Sequence, residues 1–258
     1  MRFWPLVKPI LPNRYLPYIV PGGRIYLNIK ESPMMLARVF RQYETPKRLA
    51  IQAMLKPGMT FVDIGTNKGD FALLAAAVVG SSGQVLCFEP EPVNCYWVRK
   101  SIELNGYRNV KVHELALGDA NEETQLYLGR QSGWHTLLPS QPDRDRGSIP
   151  ITKRTLDSVL WEAKLEKIDV MKIDVEGAEM AVLRGAVETL KRNSDMLLLM
   201  DLHPSLGINP VEVCKFLHGF GFSVYEMRPP YDQPLKVHEE TLEVLARFPG
   251  FTATTARK

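Results

Sequence analysis

Phe61-Val62-Asp63-Ile64-Gly65-Thr66-Asn67-Lys68-Gly69-Asp70 decides the fold. An apolar run, a turn with two glycines and the start of an Ala- and Leu-rich stretch predict a buried strand entering a helix through a tight loop. Gly65 and Gly69 lack Cβ atoms, so the backbone turns sharply and lets a ligand come close, while Asp63 puts a carboxylate at the strand's exit. The spacing Asp-x-Gly-x-x-x-Gly differs from the Gly-x-Gly-x-x-Gly of dinucleotide sites. A carboxylate there suits a cationic, amino-acid-like cofactor and opposes a pyrophosphate on the helix N-terminus. The loop therefore points to S-adenosylmethionine in place of NAD.

Outward from this loop the chain alternates strand and helix patterns. A Pro-rich leader and a hairpin near Gly22-Gly23 precede a helix over about Pro46 to Leu55. Strands are expected at Thr60 to Ile64, Gln84 to Phe88, Val110 to Leu117, Ile168 to Ile173 and Met196 to Met200, with helices after the first, second and fourth. Met180, Leu183, Val187 and Leu190 recur at helical spacing, and Asn209-Pro210 opens a further helix with a cap and a proline at its first position. Phe222 to Met227 and Thr241 to Arg247 are joined by a Pro-rich loop without room for a crossover helix, so they should pair antiparallel. Three units follow: a leader over residues 1–45, an α/β domain over 46–258, and an irregular insertion over 118–157 holding short strands at Gln125 to Leu128 and Ile149 to Thr152. Repeated strand-helix-strand units give an open, mostly parallel sheet with helices on both faces, whose ligands lie at the carboxyl ends of the strands.

The strand exits then read as one constellation: Asp63 and Gly65, Glu89, Ala116 and Leu117, Asp174 and Glu176, Asp201 and His203. Glu89 lies about twenty residues beyond the glycine loop, where an acidic side chain can accept both ribose hydroxyls of an adenosine cofactor. Glu91 is better placed to serve the next helix N-terminus. Ala116 and Leu117 offer an apolar wall to an adenine ring or the end of a buried strand.

Composition bounds the class. The 258 residues carry 32 Lys and Arg against 29 Asp and Glu, a formal charge of +3 with no basic block, which disfavours a nucleic-acid partner. Cys87, Cys95 and Cys214 sit in apolar stretches without a Cys-x-x-Cys spacing, as expected of reduced core thiols in a cytoplasmic protein. Pro5, Lys8, Pro9 and Pro12 interrupt the apolar N-terminus, and no run approaches the roughly 20 residues needed to span a bilayer. Leader residues such as Phe3, Trp4 and Tyr15 are expected to pack on the main domain or cover the substrate site, with a peripheral membrane contact as the alternative.

Phe61 to Gly69, Phe88-Glu-Pro-Glu-Pro-Val-Asn94, Thr155-Leu-Asp157 and above all Met171-Lys-Ile-Asp-Val-Glu-Gly-Ala-Glu-Met-Ala-Val-Leu-Arg-Gly-Ala186 resemble the FkbM family of S-adenosylmethionine-dependent methyltransferases. The resemblance covers roughly Tyr43 to Phe222. It implies a class I methyltransferase (Rossmann-like) fold: a seven-stranded, mostly parallel sheet with an antiparallel C-terminal hairpin. It also implies methyl transfer to a hydroxyl of a sugar or other small secondary metabolite. Carried over by position, Asp63, Gly65, Thr66, Asn67, Gly69, Glu89 and Pro90 hold the cofactor, and Asp174 and Glu176 face the transfer site. The chain departs from the family pattern at Ser132 to Thr136 and in having Asp201-Leu-His203 in place of Glu-x-His.

Methyl transfer from a sulfonium is an in-line displacement that needs no metal but does need the acceptor's proton removed. His203 is the first candidate base, because an unperturbed imidazole is partly neutral at physiological pH. Asp174 can orient it, take the proton itself or contact the cofactor's ammonium. Lys172, two residues from Asp174 on a strand, shares its face and is either a rival base of lowered pKa or half of an ion pair. Trp134 and His135 are candidates to line the acceptor pocket, and Asp157 to buttress the helix after Thr155. An Asn/Asp-Pro-Pro-aromatic motif after the fourth strand would favour amino-group methylation on protein or RNA, and that place reads Asp174-Val-Glu-Gly177. A non-catalytic cofactor-binding module is the alternative from another class.

Overall fold

The computed structural model describes residues 4–139, 146–193 and 195–248. Phe3 and residues 140–145 of the insertion lie outside them. The leader holds a short helix α1 (Trp4–Val7), the antiparallel hairpin β1 (Leu16–Val20) and β2 (Gly23–Leu27), then α2 (Pro33–Val39), and α3 (Thr45–Met54) leads from it into the α/β domain. The first half of the main sheet follows as β3 (Thr60–Ile64), α4 (Asp70–Val79), β4 (Gln84–Phe88), α5 (Pro92–Asn105) and β5 (Val110–His113). Next come β6 (Ala116–Leu117), β7 (Glu122–Tyr127) and β8 (Ser148–Arg154). The second half runs α6 (Leu156–Ala163), β9 (Val170–Ile173), α7 (Glu179–Arg184), α8 (Val187–Arg192), β10 (Leu197–Asp201), α9 (Pro210–His218), β11 (Ser223–Tyr225) and β12 (Glu243–Arg247).

The seven-stranded sheet has the order β11-β12-β10-β9-β3-β4-β5. The pairs from β10 to β5 are all parallel, and β12 runs antiparallel to both β10 and β11. Strand order reverses between β3 and β9, and a ligand crevice is expected beyond the carboxyl ends of such a pair. Every residue of β3 and β9 is buried, because helices cover both faces of the sheet. On one face Val62, Ile64, Met171 and Met200 pack with side chains of α6 to α9. On the other, Phe61, Val85, Val170 and Leu199 pack with α3 and α4. The leader hairpin forms its own apolar cluster against Leu73 of α4 and Val98 and Ile102 of α5. Among the described residues no helix is long and apolar enough to cross a membrane.

The structure differs from the sequence expectation in three places. The third strand does not run to Leu117: β5 ends at His113, whose ring stacks on Phe88 at 4.8 Å, and Ala116 and Leu117 pair with β8 in a separate three-stranded sheet. Ala116 is there buried with Leu126 and Ile151. The helix expected across Met180 to Leu190 is broken into α7 and α8 at Gly185. A Cβ on Gly185 would stand 1.9 Å from the Gly118 carbonyl oxygen, so the chain bends where the two backbones touch. Asp157 stabilises the restart by accepting from the Glu188 and Thr189 amides at 2.9 and 2.8 Å, while Thr155 caps α6 itself. Helix α2 has no counterpart in the sequence reading, and it contributes a wall of the site.

Candidate active site

A cavity of about 240 Å³ opens at the carboxyl ends of β3, β4, β9 and β10. The leader, through Ser32, Met35 and Arg38 of the α2 region, and the insertion, through Ser132, Trp134 and His135, close its sides. The strand exits Gly65, Glu89, Asp174 and His203, and the apolar pair Ala116 and Leu117, are brought together on it as the topology requires.

At one end lies the loop after β3. Gly65 (φ +78°) borders the cavity, but the close approach that excludes a side chain is by protein: a Cβ there would meet the Asp174 carbonyl oxygen at 1.9 Å. Gly69 (φ +93°) is off the cavity and turns the chain into α4 against Val98. Asp63 also differs from expectation. It is fully buried beneath the loop, opposite Lys172 in the parallel register of β3 and β9, with its Oδ1 3.2 Å from Nζ. Period-two alternation puts Asp63 on the face shared with Phe61 and, across the ladder, with Lys172; Lys172 reaches the cavity, whereas Asp63 is not part of its lining. Thr66, Asn67 and Pro90 do line the cavity, with the Thr66 hydroxyl donating to the Asp63 carbonyl.

Glu89 follows β4 and accepts from the Asn67 amide at 2.7 Å and the Glu91 amide at 3.0 Å. Burial raises its pKa, and the hydrogen bonds from Glu91, Asn67 and the Asn94 side chain pull it back to about 7. Glu91 is the N-cap of α5, accepting from Val93 and Asn94, so it holds the helix and leaves Glu89 to the cavity.

The opposite end is dense in charge. His203 Nδ1 is 2.5 Å from Glu179 Oε1, and its Nε2 is 3.6 Å from Glu176 Oε1 and 3.9 Å from Asp174 Oδ1. Burial acts to lower its pKa, but the Glu179 hydrogen bond and the Glu176, Glu179 and Asp174 carboxylates outweigh it and lift the pKa to about 9. The imidazole is therefore protonated near neutrality, contrary to the expectation of a partly neutral ring. Glu176 adopts φ +50°, an uncommon backbone for a non-glycine residue, immediately before Gly177 (φ +99°). The Thr136 hydroxyl ties the insertion to this turn by donating to the Glu176 carbonyl at 2.7 Å.

Lys172 donates to the Gly65 carbonyl at 2.9 Å and lies 3.6 Å from Asp174 as well as beside Asp63. Burial would lower its pKa, but Asp63 and Asp174 outweigh burial and raise it, so it is a fixed cation and not the base of lowered pKa considered above. Asp174 is likewise disfavoured as a charge by burial, yet Lys172, Lys47 and His203 hold its pKa low. Lys47, in the first turn of α3, is buried between Asp201 and Glu44, pairing with Glu44 at 2.6 Å and closely with Asp201. His135, on the insertion, is neutral: burial and then Lys68 depress its pKa to about 4, and its Nδ1 accepts from the Gly129 amide at 3.0 Å.

Arg38, Glu44 and Lys47 were missed in the sequence because they stand in the leader and the helix after it, where no motif marks them. Arg38 is 3% exposed, pairs with Asp70 at 2.7 Å and stacks over Tyr43. The available signal was a cation within a helical run rich in apolar residues, at Arg38 and again at Lys47.

Residues 63–229 match the Methyltransferase FkbM domain. The chain belongs to the FkbM methyltransferase family. It is an S-adenosylmethionine-dependent methyltransferase with an α/β, class I methyltransferase fold. It is 29% identical over 159 residues to the 2-O-methyltransferase NoeI of Sinorhizobium fredii, an alignment covering 56% of this chain and 64% of that protein. Methyltransferase 1 of Beauveria bassiana is 28% identical over 193 residues, covering 67% of this chain and 76% of its own. Among solved structures, Methyltransferase FkbM from Methylobacillus flagellatus KT aligns with a TM-score of 0.46 and 15% identity, over 83% of this chain and 52% of that one.

The residues present fit the cofactor. Asn67 Oδ1 is buried in the cavity wall without a hydrogen-bond partner among the described residues, beside the Glu89 carboxylate. An adenosine with two ribose hydroxyls and an amino-acid tail offers the donors that such oxygens lack.

Proposed function

We propose that this chain methylates a hydroxyl of a small polyhydroxylated acceptor, of sugar, glycan or secondary-metabolite type. The observation that carries the reading is His203, fixed through Nδ1 by Glu179 while Nε2 faces Glu176 and Asp174 at the cavity floor. A base held in this way suits an alcohol, which attacks poorly until its proton is removed. The 2-O-methyltransferase NoeI, similar over 159 residues, supports the same acceptor chemistry.

Bound S-adenosylmethionine supplies an electrophilic methyl group on a sulfonium. Gly65, Thr66, Asn67, Glu89 and Pro90 hold it, with Ala116 and Leu117 as the apolar wall and Glu89 accepting from hydroxyls. Asp174, Glu176 and His203 orient the acceptor, and Trp134 and His135 bound its pocket from the insertion. His203 takes the hydroxyl proton at Nε2 once that nitrogen has lost its own proton to solvent, which happens as pH rises toward about 9. Glu176, 3.6 Å from Nε2, helps to hold the imidazole's charge.

Methyl transfer from labelled cofactor to a panel of hydroxylated acceptors, with the product's methylated atom identified by mass spectrometry, tests the reading. A methyl ether is the expected product. Methylation confined to nitrogen in protein or RNA would overturn it.

A further inference from the structure

Ser32 stands at the N-terminus of α2 with an extended backbone (φ −160°, ψ 161°), the place and conformation of a capping serine, yet its side chain caps nothing. The turn is closed by its carbonyl instead, which accepts from the Met35 amide at 3.1 Å. Ser32 is 2% exposed and borders the cavity, and its Oγ has no hydrogen-bond partner among the described residues. Ser132 of the insertion borders the same cavity and leaves its Oγ equally unpaired. With Asn67 Oδ1, three polar oxygens from three distant segments are stranded around one space. Buried polar atoms are almost always paired, and such a cluster marks a missing partner.

Neighbouring contacts place all three at the cofactor end. Ser132 precedes Gly133, and a Cβ on Gly133 would lie 3.2 Å from the Asn67 side-chain nitrogen. Asn67 in turn donates its amide to Glu89. Ser32 follows Glu31, whose carboxylate is 3.1 Å from Nζ of Lys68, the residue after Asn67. Both serines are also held in position. Tyr15 stacks on Trp97 at 4.1 Å and Arg38 pairs with Asp70, fixing the leader, while Thr136 bonds the Glu176 carbonyl, fixing the insertion.

We infer that Ser32 and Ser132 hydrogen-bond bound S-adenosylmethionine, so that the leader and the insertion complete the cofactor cradle. Ser32 lies well outside the matched stretch 63–229, and the inference rests on the family's cofactor.

Calorimetric titration of S-adenosylmethionine into the wild type, Ser32→Ala and Ser132→Ala, with thermal melting of each alone and with cofactor, tests it. An unpaired hydroxyl contributes nothing to the free protein, so both variants should melt at or above the wild-type temperature. Each should bind about fivefold more weakly, the worth of one neutral hydrogen bond, and gain less on cofactor addition. Unchanged affinity in both variants overturns the inference, whatever their melting temperatures. Absence of binding by folded wild-type protein would instead overturn the cofactor assignment itself.

Discussion

The two ends of the cavity are built on different principles. Around Glu89 a single carboxylate is set by backbone amides of Asn67 and Glu91, and the rest of the wall is glycine, proline, apolar side chains and neutral polar ones such as Ser32, Thr66, Asn67 and Ser132. Around His203 the wall is a network of ionisable side chains from α3, β9, α7 and β10 and the turns after the strands, each of whose charge depends on the others. Backbone donors cost little to reorganise and suit a fixed ligand. Interlocked charges hold protons at chosen atoms and suit a reaction. The first end should therefore govern cofactor affinity and the second turnover.

The sharpest break between them is His203→Ala, which should lower kcat on a hydroxyl acceptor by about 10²- to 10⁴-fold. In the wild type, kcat/KM should climb with pH toward about 9, the pKa at which the imidazole frees Nε2, and the variant should lose that limb. The same imidazolium stabilises the fold. Its folded pKa exceeds the ordinary 6.5, so its contribution, on the order of 3 kcal/mol, is complete below pH 6.5 and is lost as pH rises through about 9. Urea midpoints compared across that window in wild type and variant measure it.

Lys172→Met should strand the Asp63 carboxylate and destabilise the protein by about 3–5 kcal/mol in urea unfolding, because removing one partner leaves a buried charge unpaired. Glu89→Gln should weaken cofactor binding about tenfold to a hundredfold by calorimetry, the cost of losing charged hydrogen bonds. Wild-type affinity should also weaken as pH falls through about 7, where Glu89 takes up a proton. Thr136→Val should cost only about 1 kcal/mol of stability, and more of kcat than of cofactor affinity, since the lost bond steadies the Glu176 turn.

Much of this was legible because it is local. The strand, loop and helix from Phe61 to Val79, the strand ending at Glu89 and the exits at Asp174 and His203 each announce themselves within a dozen residues. What escaped depends on contacts far apart in sequence. Gly185 breaks a helix only because Gly118 touches it, and Ala116 leaves the main sheet because β8 offers pairing. The state of His203 follows from Glu179, whose position in the first turn of α7 gives no hint that it reaches back to the imidazole. Asp63 was misplaced for a plainer reason: it lies inside β3, one residue short of its end, where it pairs with Lys172, and it is Lys172 that borders the cavity.

The division of labour is most directly tested by titrating S-adenosylmethionine into wild type, Glu89→Gln and His203→Ala side by side. The expected result is an affinity lowered at least tenfold in Glu89→Gln and unaltered in His203→Ala. Equal affinities for wild type and Glu89→Gln, or a loss confined to His203→Ala, would contradict it.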